Sequence, residues 1–130
     1  MQLHEYQAKE ILNKSEVPIP DGKVAKSGKE AQEIALSLGG NCVVKAQVHA
    51  GGRGKAGGIK LAKNPNEASE HADNMIGSSL KTFQSGDTEF PIREVYIEKA
   101  SSILKEYYLA VTMDFDFKCP VIIFSTEGGM

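Results

Sequence analysis

Lys45, Gln47 and His49 fall at alternate positions and lead into "QVHAGGRGKAGG", residues 47–58, which holds five glycines together with Arg53 and Lys55. These residue types suit one kind of chemistry, the close approach of a backbone to phosphate. Glycine lets main-chain amides reach an oxyanion, and neighbouring cations neutralise it. Three arrangements use such a stretch: a dinucleotide-binding turn, a Walker-type loop, and a hairpin lid over a nucleotide.

The letters of "GRGKAG" (52–57) fit G-x-G-x-x-G. A dinucleotide turn also needs a helix opening at the third glycine, so that helical amides face the pyrophosphate. Here Gly57 and Gly58 run into "IKLAK", which is compatible with a strand. A Walker loop needs Ser or Thr after Gly-Lys to hold magnesium. Gly54-Lys55 is followed by Ala56, and His49 stands where the first glycine belongs. Strand, glycine-rich loop, strand remains, the shape that kinases lay over nucleotide phosphates. Lys45, on the entering strand, is the candidate phosphate-neutralising cation; a solvent-facing strand lysine is its bland alternative.

An arginine–glycine nucleic-acid segment is disfavoured. No aromatic lies between Tyr6 and Phe83, and the 130-residue chain has a formal net charge of -2. Such segments work through surrounding positive charge and stacking rings. No run approaches the length of apolar sequence that spans a membrane. Neither nucleic acid nor membrane is an expected partner. The two cysteines, Cys42 and Cys119, lack zinc spacing and sit in strand-like segments. Both are expected to be buried free thiols in a reducing compartment.

The elements that must position these residues follow from periodicity. Residues 3–13 read as a helix with Leu3, Tyr6, Gln7, Ile11 and Leu12 near one stripe. "SEVPIPDG" then forces an extended link through Pro18 and Pro20. Residues 27–39 read as a helix, with Ser27 and Glu30 as a capping box and Gly39-Gly40 as its stop. The strand 41–49 places Cys42, Val44, Ala46 and Val48 on one face and Lys45, Gln47 and His49 on the other. Asn64, Pro65 and Glu67 open a helix that runs to about Ile76 and stops at Gly77. Strands are expected at 93–100, 105–116 and 119–126, the last two as a hairpin turning at Phe117 and Lys118. The fold class is α+β, or mixed α/β. "PVIIFSTEGGM" stops as a strand enters a turn, so a longer natural chain is expected.

"LHEYQAKEIL", "VVKAQVHAGGRGKAGGIKL", "VYIEKASSILKEYYLAV" and the terminal "STEGGM" together resemble the β subunit of succinyl-CoA synthetase (succinate–CoA ligase). The resemblance runs through nearly the whole chain. It implies the N-terminal part of an ATP-grasp fold, with the first lobe complete and the second truncated. Residues 21–104 would form the first lobe with its hairpin lid, and residues 1–20 and 105–130 would belong to the second.

By the same resemblance the nucleotide contacts fall on Lys45, on Gly52, Arg53 and Gly54 of the loop, on Glu98 and Ser101 at the hinge, and on Glu106. Glu98 and Glu106 taken alone would read as exposed strand glutamates. The resemblance implies ATP or GTP as nucleotide and Mg2+ in the full-length enzyme, with the metal ligands beyond Met130. It implies an α-subunit partner carrying the phosphohistidine, with CoA and succinate in the intact complex. A related acid–thiol ligase acting on malate, or a non-catalytic nucleotide-binding or subunit-interaction module, shares the pattern. "PIPDG" with Pro20 resembles ATP-using members, and the absence of a presequence after Met1 points to a bacterial cytoplasm rather than a mitochondrial matrix. The segment by itself is expected to be inactive.

Overall fold

A computed structural model describes residues 3–128. The chain divides after Ala100 into two compact units, inside the segment that joins the strand at 95–99 to the strand at 108–114.

The first unit is a four-stranded antiparallel sheet with helices. Strands β1 (Gly22–Ala25), β2 (Cys42–Ala46), β3 (Ile59–Ala62) and β6 (Val95–Lys99) lie in the order β1-β6-β2-β3. Helices α2 (Gly28–Ser37) and α3 (Pro65–Met75) pack against each other and against the sheet. Their small residues Ala31, Ala35, Ala68 and Ala72 are fully buried and let the helices close on Val44, Val95 and Ile97. Strand pairing sets the opposite face. Val44 stands opposite Ile97 and Lys45 opposite Tyr96, so alternation puts Lys45, Tyr96, Val43 and Glu98 together away from the core.

Local grammar accounts for the helix ends. Ser27 caps α2 by accepting from the Glu30 amide at 3.2 Å. The Glu30 carboxylate reaches the Lys26 amide at 2.7 Å rather than Ser27, one residue upstream of the expected capping box. Gly39 and Gly40 both have φ of 91°, and the Gly40 amide returns to the Ala35 carbonyl at 2.8 Å. Asn64 caps α3 and Pro65 opens it, as their spacing predicts.

Three further findings depart from the sequence reading. Strand β1 and the two-residue pair β4 (Ser79–Leu80) and β5 (Phe90–Pro91) have no counterpart in it. Helix α1 (Glu5–Lys14) forms, but its stripe is not a core face: Leu3, Ile11 and Leu12 are exposed and no helix residue is buried. Its charged residues meet the sheet instead. Helix α1 lies against the sheet of the first unit.

The second unit is a hairpin of β7 (Tyr108–Asp114) and β8 (Cys119–Ser125). It turns where expected. Lys118 has φ of 54°, and the Asp114 carboxylate accepts from the Asp116 and Phe117 amides, each at 2.9 Å. Leu109, Val111, Ile122 and Phe124 are exposed on it. Cys119 is exposed as well, so only Cys42 matches the buried thiol expected. Among the described residues no helix is long and apolar enough to cross a membrane.

Candidate functional site

The glycine-rich stretch is a hairpin connection. Strands β2 and β3 pair antiparallel with Lys45 opposite Ile59, and no helix follows the third glycine. The turn is closed by its own backbone: the Gly58 amide bonds the Arg53 carbonyl at 2.8 Å and the Ala56 amide bonds Gly52 at 3.2 Å. One glycine is needed for reasons the structure makes explicit. Gly52 has φ of 74°, and a Cβ there would lie 2.5 Å from the Phe83 ring. A Cβ on Gly51 would strike the Gln84 side chain. The 82–84 loop therefore lies directly against the tip, which sequence patterning does not reveal.

Arg53 is held in a defined direction. Its Nη1 donates to the Ala46 carbonyl at 2.6 Å, which folds the side chain back along β2 toward Lys45. The two cations converge on one carboxylate. Glu5 Oε1 accepts from Lys45 Nζ at 3.0 Å, and Glu5 Oε2 accepts from Arg53 Nη2 at 2.6 Å. Burial alone would favour protonated Glu5; the charges of Lys45, Arg53 and Lys9 outweigh it and hold the carboxyl at about 2. An oxyanion thus fits between Lys45 and Arg53, because one already sits there.

Glu98 is a second anion in the cluster, 7% exposed. Its Oε1 accepts from Lys45 Nζ at 2.6 Å, and Lys9 pairs with its other oxygen. A buried carboxylate needs such partners to stay ionised. Glu98 is thus buried rather than exposed, while its pairing with lysine is what the bland reading of a strand glutamate would give. Lys9 is pulled below the ordinary lysine range, mainly by burial and by Lys45.

The remaining predicted residues divide between the two units. Gly52, Arg53 and Gly54 share the hairpin turn, with Gly54 exposed, and Lys45 and Glu98 join Arg53 through the ion-pair cluster. Ser101 and Glu106 belong to the second unit; both are exposed, and the Glu106 backbone packs on Gly128. Gln47 does not present its side chain to solvent beside Lys45. It is 2% exposed, with Nε2 donating to the Lys45 carbonyl at 3.0 Å and Oε1 accepting from the Tyr6 amide at 3.4 Å. His49 is exposed and its ring meets that of His4 at a tilt of 44°, centroids 4.0 Å apart. The residues that sequence reasoning missed are Glu5 and Lys9. Their spacing of four marks a helical ion pair, but only the docked fold puts that pair on Lys45 and Glu98. Among the described residues no cluster of three His, Cys, Asp or Glu side chains is placed to hold a metal ion.

With that geometry in view, a family model described as an ATP-grasp domain matches residues 2–130. The chain belongs to the ATP-grasp family. Its curated relatives include the β subunit of ADP-forming succinate–CoA ligase from Nitratiruptor, 51% identical, and those from Aquifex aeolicus and the Wolbachia of Brugia malayi, each 53% identical. Each similarity covers 100% of this ATP-grasp chain and 34% of the relative, so the chain spans about a third of the length of the curated relatives it matches. Among solved structures, ATP citrate lyase from Methanothrix soehngenii in complex with citrate and coenzyme A matches with a TM-score of 0.76 at 21% identity, over 99% of this chain and 32% of that one. The dinucleotide-forming acetyl-coenzyme A synthetase 1 of Ca. Korarchaeum cryptofilum matches at 0.73 and 17%, over 95% of this chain and 53% of that one. At such identities the likeness shows the ATP-grasp fold alone.

Proposed function

We propose that this chain supplies the nucleotide-phosphate grip of a succinate–CoA ligase β subunit. The observation that carries the reading is the convergence of Lys45 and Arg53 on a single oxyanion position beside the glycine hairpin. Lys45 supplies a point charge and Arg53 a directed fork. The amides around Gly52 and Gly54 approach the phosphates without side chains in the way. Glu98 fixes the direction of Lys45. Ser101 and Glu106, in the joining segment, belong by the resemblance to the same set of nucleotide contacts, and the lobe division of 1–20, 21–104 and 105–130 belongs to the same proposal. The exposed apolar stripe of α1 supports that division, since it is surface suited to another packing partner.

In the full-length protein the bound nucleotide, ATP with Mg2+ held by residues outside this chain, drives formation of an acyl-CoA thioester. Succinate is the acid, and a partner α subunit carries the phosphoryl group. The names of relatives at about 50% identity support this assignment. The contribution of this chain is positioning and charge stabilisation, which is most of what phosphoryl transfer asks of a nucleotide lobe.

Calorimetric titration of ATP into the full-length protein and its Lys45→Ala variant tests the reading. Losing one charge-assisted contact costs roughly 1.5–3 kcal/mol, about ten- to a hundredfold in affinity. Equal affinity in the two proteins would sink it.

A further inference from the structure

The cations assigned to phosphate are already engaged by the chain itself. Glu5 spreads its two oxygens over Lys45 and Arg53, as two oxygens of one phosphoryl group would. Lys9, one turn along α1, pairs with Glu98. We infer that Glu5 is an internal competitor: its carboxylate stands where a ligand phosphate binds, and a polyphosphate ligand enters by displacing helix α1 from the sheet. This inference rests on the phosphate reading of Lys45 and Arg53.

The way α1 is attached makes it displaceable. None of its residues is buried, and Leu3, Ile11 and Leu12 are exposed. Lifting the helix therefore gives up little apolar burial of its own, the term that makes most helix docking hard to reverse, and on the sheet side it uncovers the Tyr96 ring that lies under Lys9. What holds it is mainly polar: the Glu5 and Lys9 ion pairs, Lys9 over the Tyr96 ring, the tilted His4–His49 ring contact, and the long bond from the Tyr6 amide to Gln47. Such contacts are exchangeable for others of the same sign, since a ligand oxyanion can take the place of a carboxylate on the same cations.

The surroundings fit a plug in a groove. Three clefts, of about 550, 540 and 340 Å3, each take part of their wall from α1 or the residues just before it. The smallest is bounded by Glu5, His49 and Arg53 beside the glycine turn. Removing α1 takes away a wall common to these clefts and exposes Lys45 and Arg53 together. Departure of Glu5 does not leave Glu98 unpaired, because Lys45 remains on it at 2.6 Å. A ligand without phosphate gains nothing from the freed cations, whereas a polyphosphate replaces one carboxylate with several charged oxygens. The ligand class selected is a polyphosphate, free or as part of a nucleotide.

The test uses the full-length protein, with ATP, inorganic tripolyphosphate and adenosine as probes. If binding needs α1 to leave, apparent affinity is reduced by the fraction of molecules in which it has left. Glu5→Gln keeps the side chain's shape and removes its charge. It is expected to bind ATP and tripolyphosphate roughly tenfold tighter than wild type, with adenosine unchanged. In the wild-type protein, ATP should speed amide hydrogen exchange in residues 5–14 while protecting 50–58. Equal or weaker ATP binding by Glu5→Gln, or protection of residues 5–14 by ATP, overturns the competitor. If Lys45→Ala still weakens ATP in that case, the phosphate reading stands alone. If Lys45→Ala leaves ATP affinity unchanged, the phosphate reading falls and the competitor with it. The exchange measurement on wild type decides the matter even if Glu5→Gln folds poorly.

Discussion

Lys45 Nζ lies 2.6 Å from Glu98 Oε1, on paired strands β2 and β6 and two register positions apart. Lys9 faces the same carboxylate from α1. Glu98 and Glu5 thus each pair with both ammonium groups, whose side chains are only 16–17% exposed. Removing Glu98 leaves Glu5 as the one carboxylate shared by Lys9, Lys45 and Arg53, with little water to make up the lost charge. Glu98→Ala is expected to cost about 3 kcal/mol of stability, as for a broken, largely desolvated pair. Adding Lys9→Met should return part of the loss, because contacting residues are not additive. Denaturant unfolding of the single and double variants checks both. A loss within about 0.5 kcal/mol for Glu98→Ala would mean that solvent screens the cluster as it does a surface pair.

Gly52 carries two separable constraints, its φ of 74° and its contact with Phe83. Gly52→Ala should destabilise the hairpin by about 1–2 kcal/mol for the left-handed backbone, and further for the ring it displaces. Phe83→Ala in the same chain should recover only the second part. Amide exchange over residues 47–58 reports the hairpin directly. Full recovery in the double variant would show that the backbone term is negligible there.

Asp73 of α3 accepts from the Gly28 amide, the first residue of α2, at 2.8 Å, and its carboxylate fills the space a Cβ on Gly28 would need. The bond ties the two helices and places a negative charge at a helix start. Asp73→Ala is expected to cost about 1–2 kcal/mol, and Asp73→Asn, which keeps an acceptor, less. Thermal unfolding of the two variants separates charge from hydrogen bonding. Equal losses would assign the whole effect to charge.

The hairpin and its cations were legible because each rests on local pattern. Strand alternation alone separates Lys45 from Val44 and Ala46, and the missing helix after Gly58 is visible as "IKLAK". Caps at Ser27 and Asn64 are equally local. Strand β1 was not legible, because Gly22–Ala25 is four residues whose strand character comes from pairing with β6. The exposure of Cys119 depends on whether a covering layer exists, which composition does not say. Glu5 is the clearest case. Its helix is readable, but the apolar stripe does not mark the face that meets the sheet. Ion pairing with Lys45 and Arg53 decides the orientation, and those partners lie 40 and 48 residues away.

That polar attachment makes α1 docking depend on pH in two stages. The His4 ring is held below its ordinary value of 6.5, first by burial and then by His49, with Arg53 adding to the fall and Glu94 opposing it. A base depressed in the docked state takes up its proton more readily when undocked. Docking is thus strongest above about 6.5 and weakens as pH falls through the range below it. Glu5 acts in the opposite sense. Its carboxyl is depressed from 4.5 to about 2, so its contribution is whole above about 4.5 and is lost as pH falls toward 2. Exchange of the α1 amides, corrected for intrinsic rate, should therefore rise first below about pH 6.5 and again below about 4.5. His4→Gln should remove the first rise and keep the second, while Glu5→Gln should do the reverse. A single rise common to wild type and both variants would mean that neither group governs the docking, and that α1 opens only with the sheet beneath it.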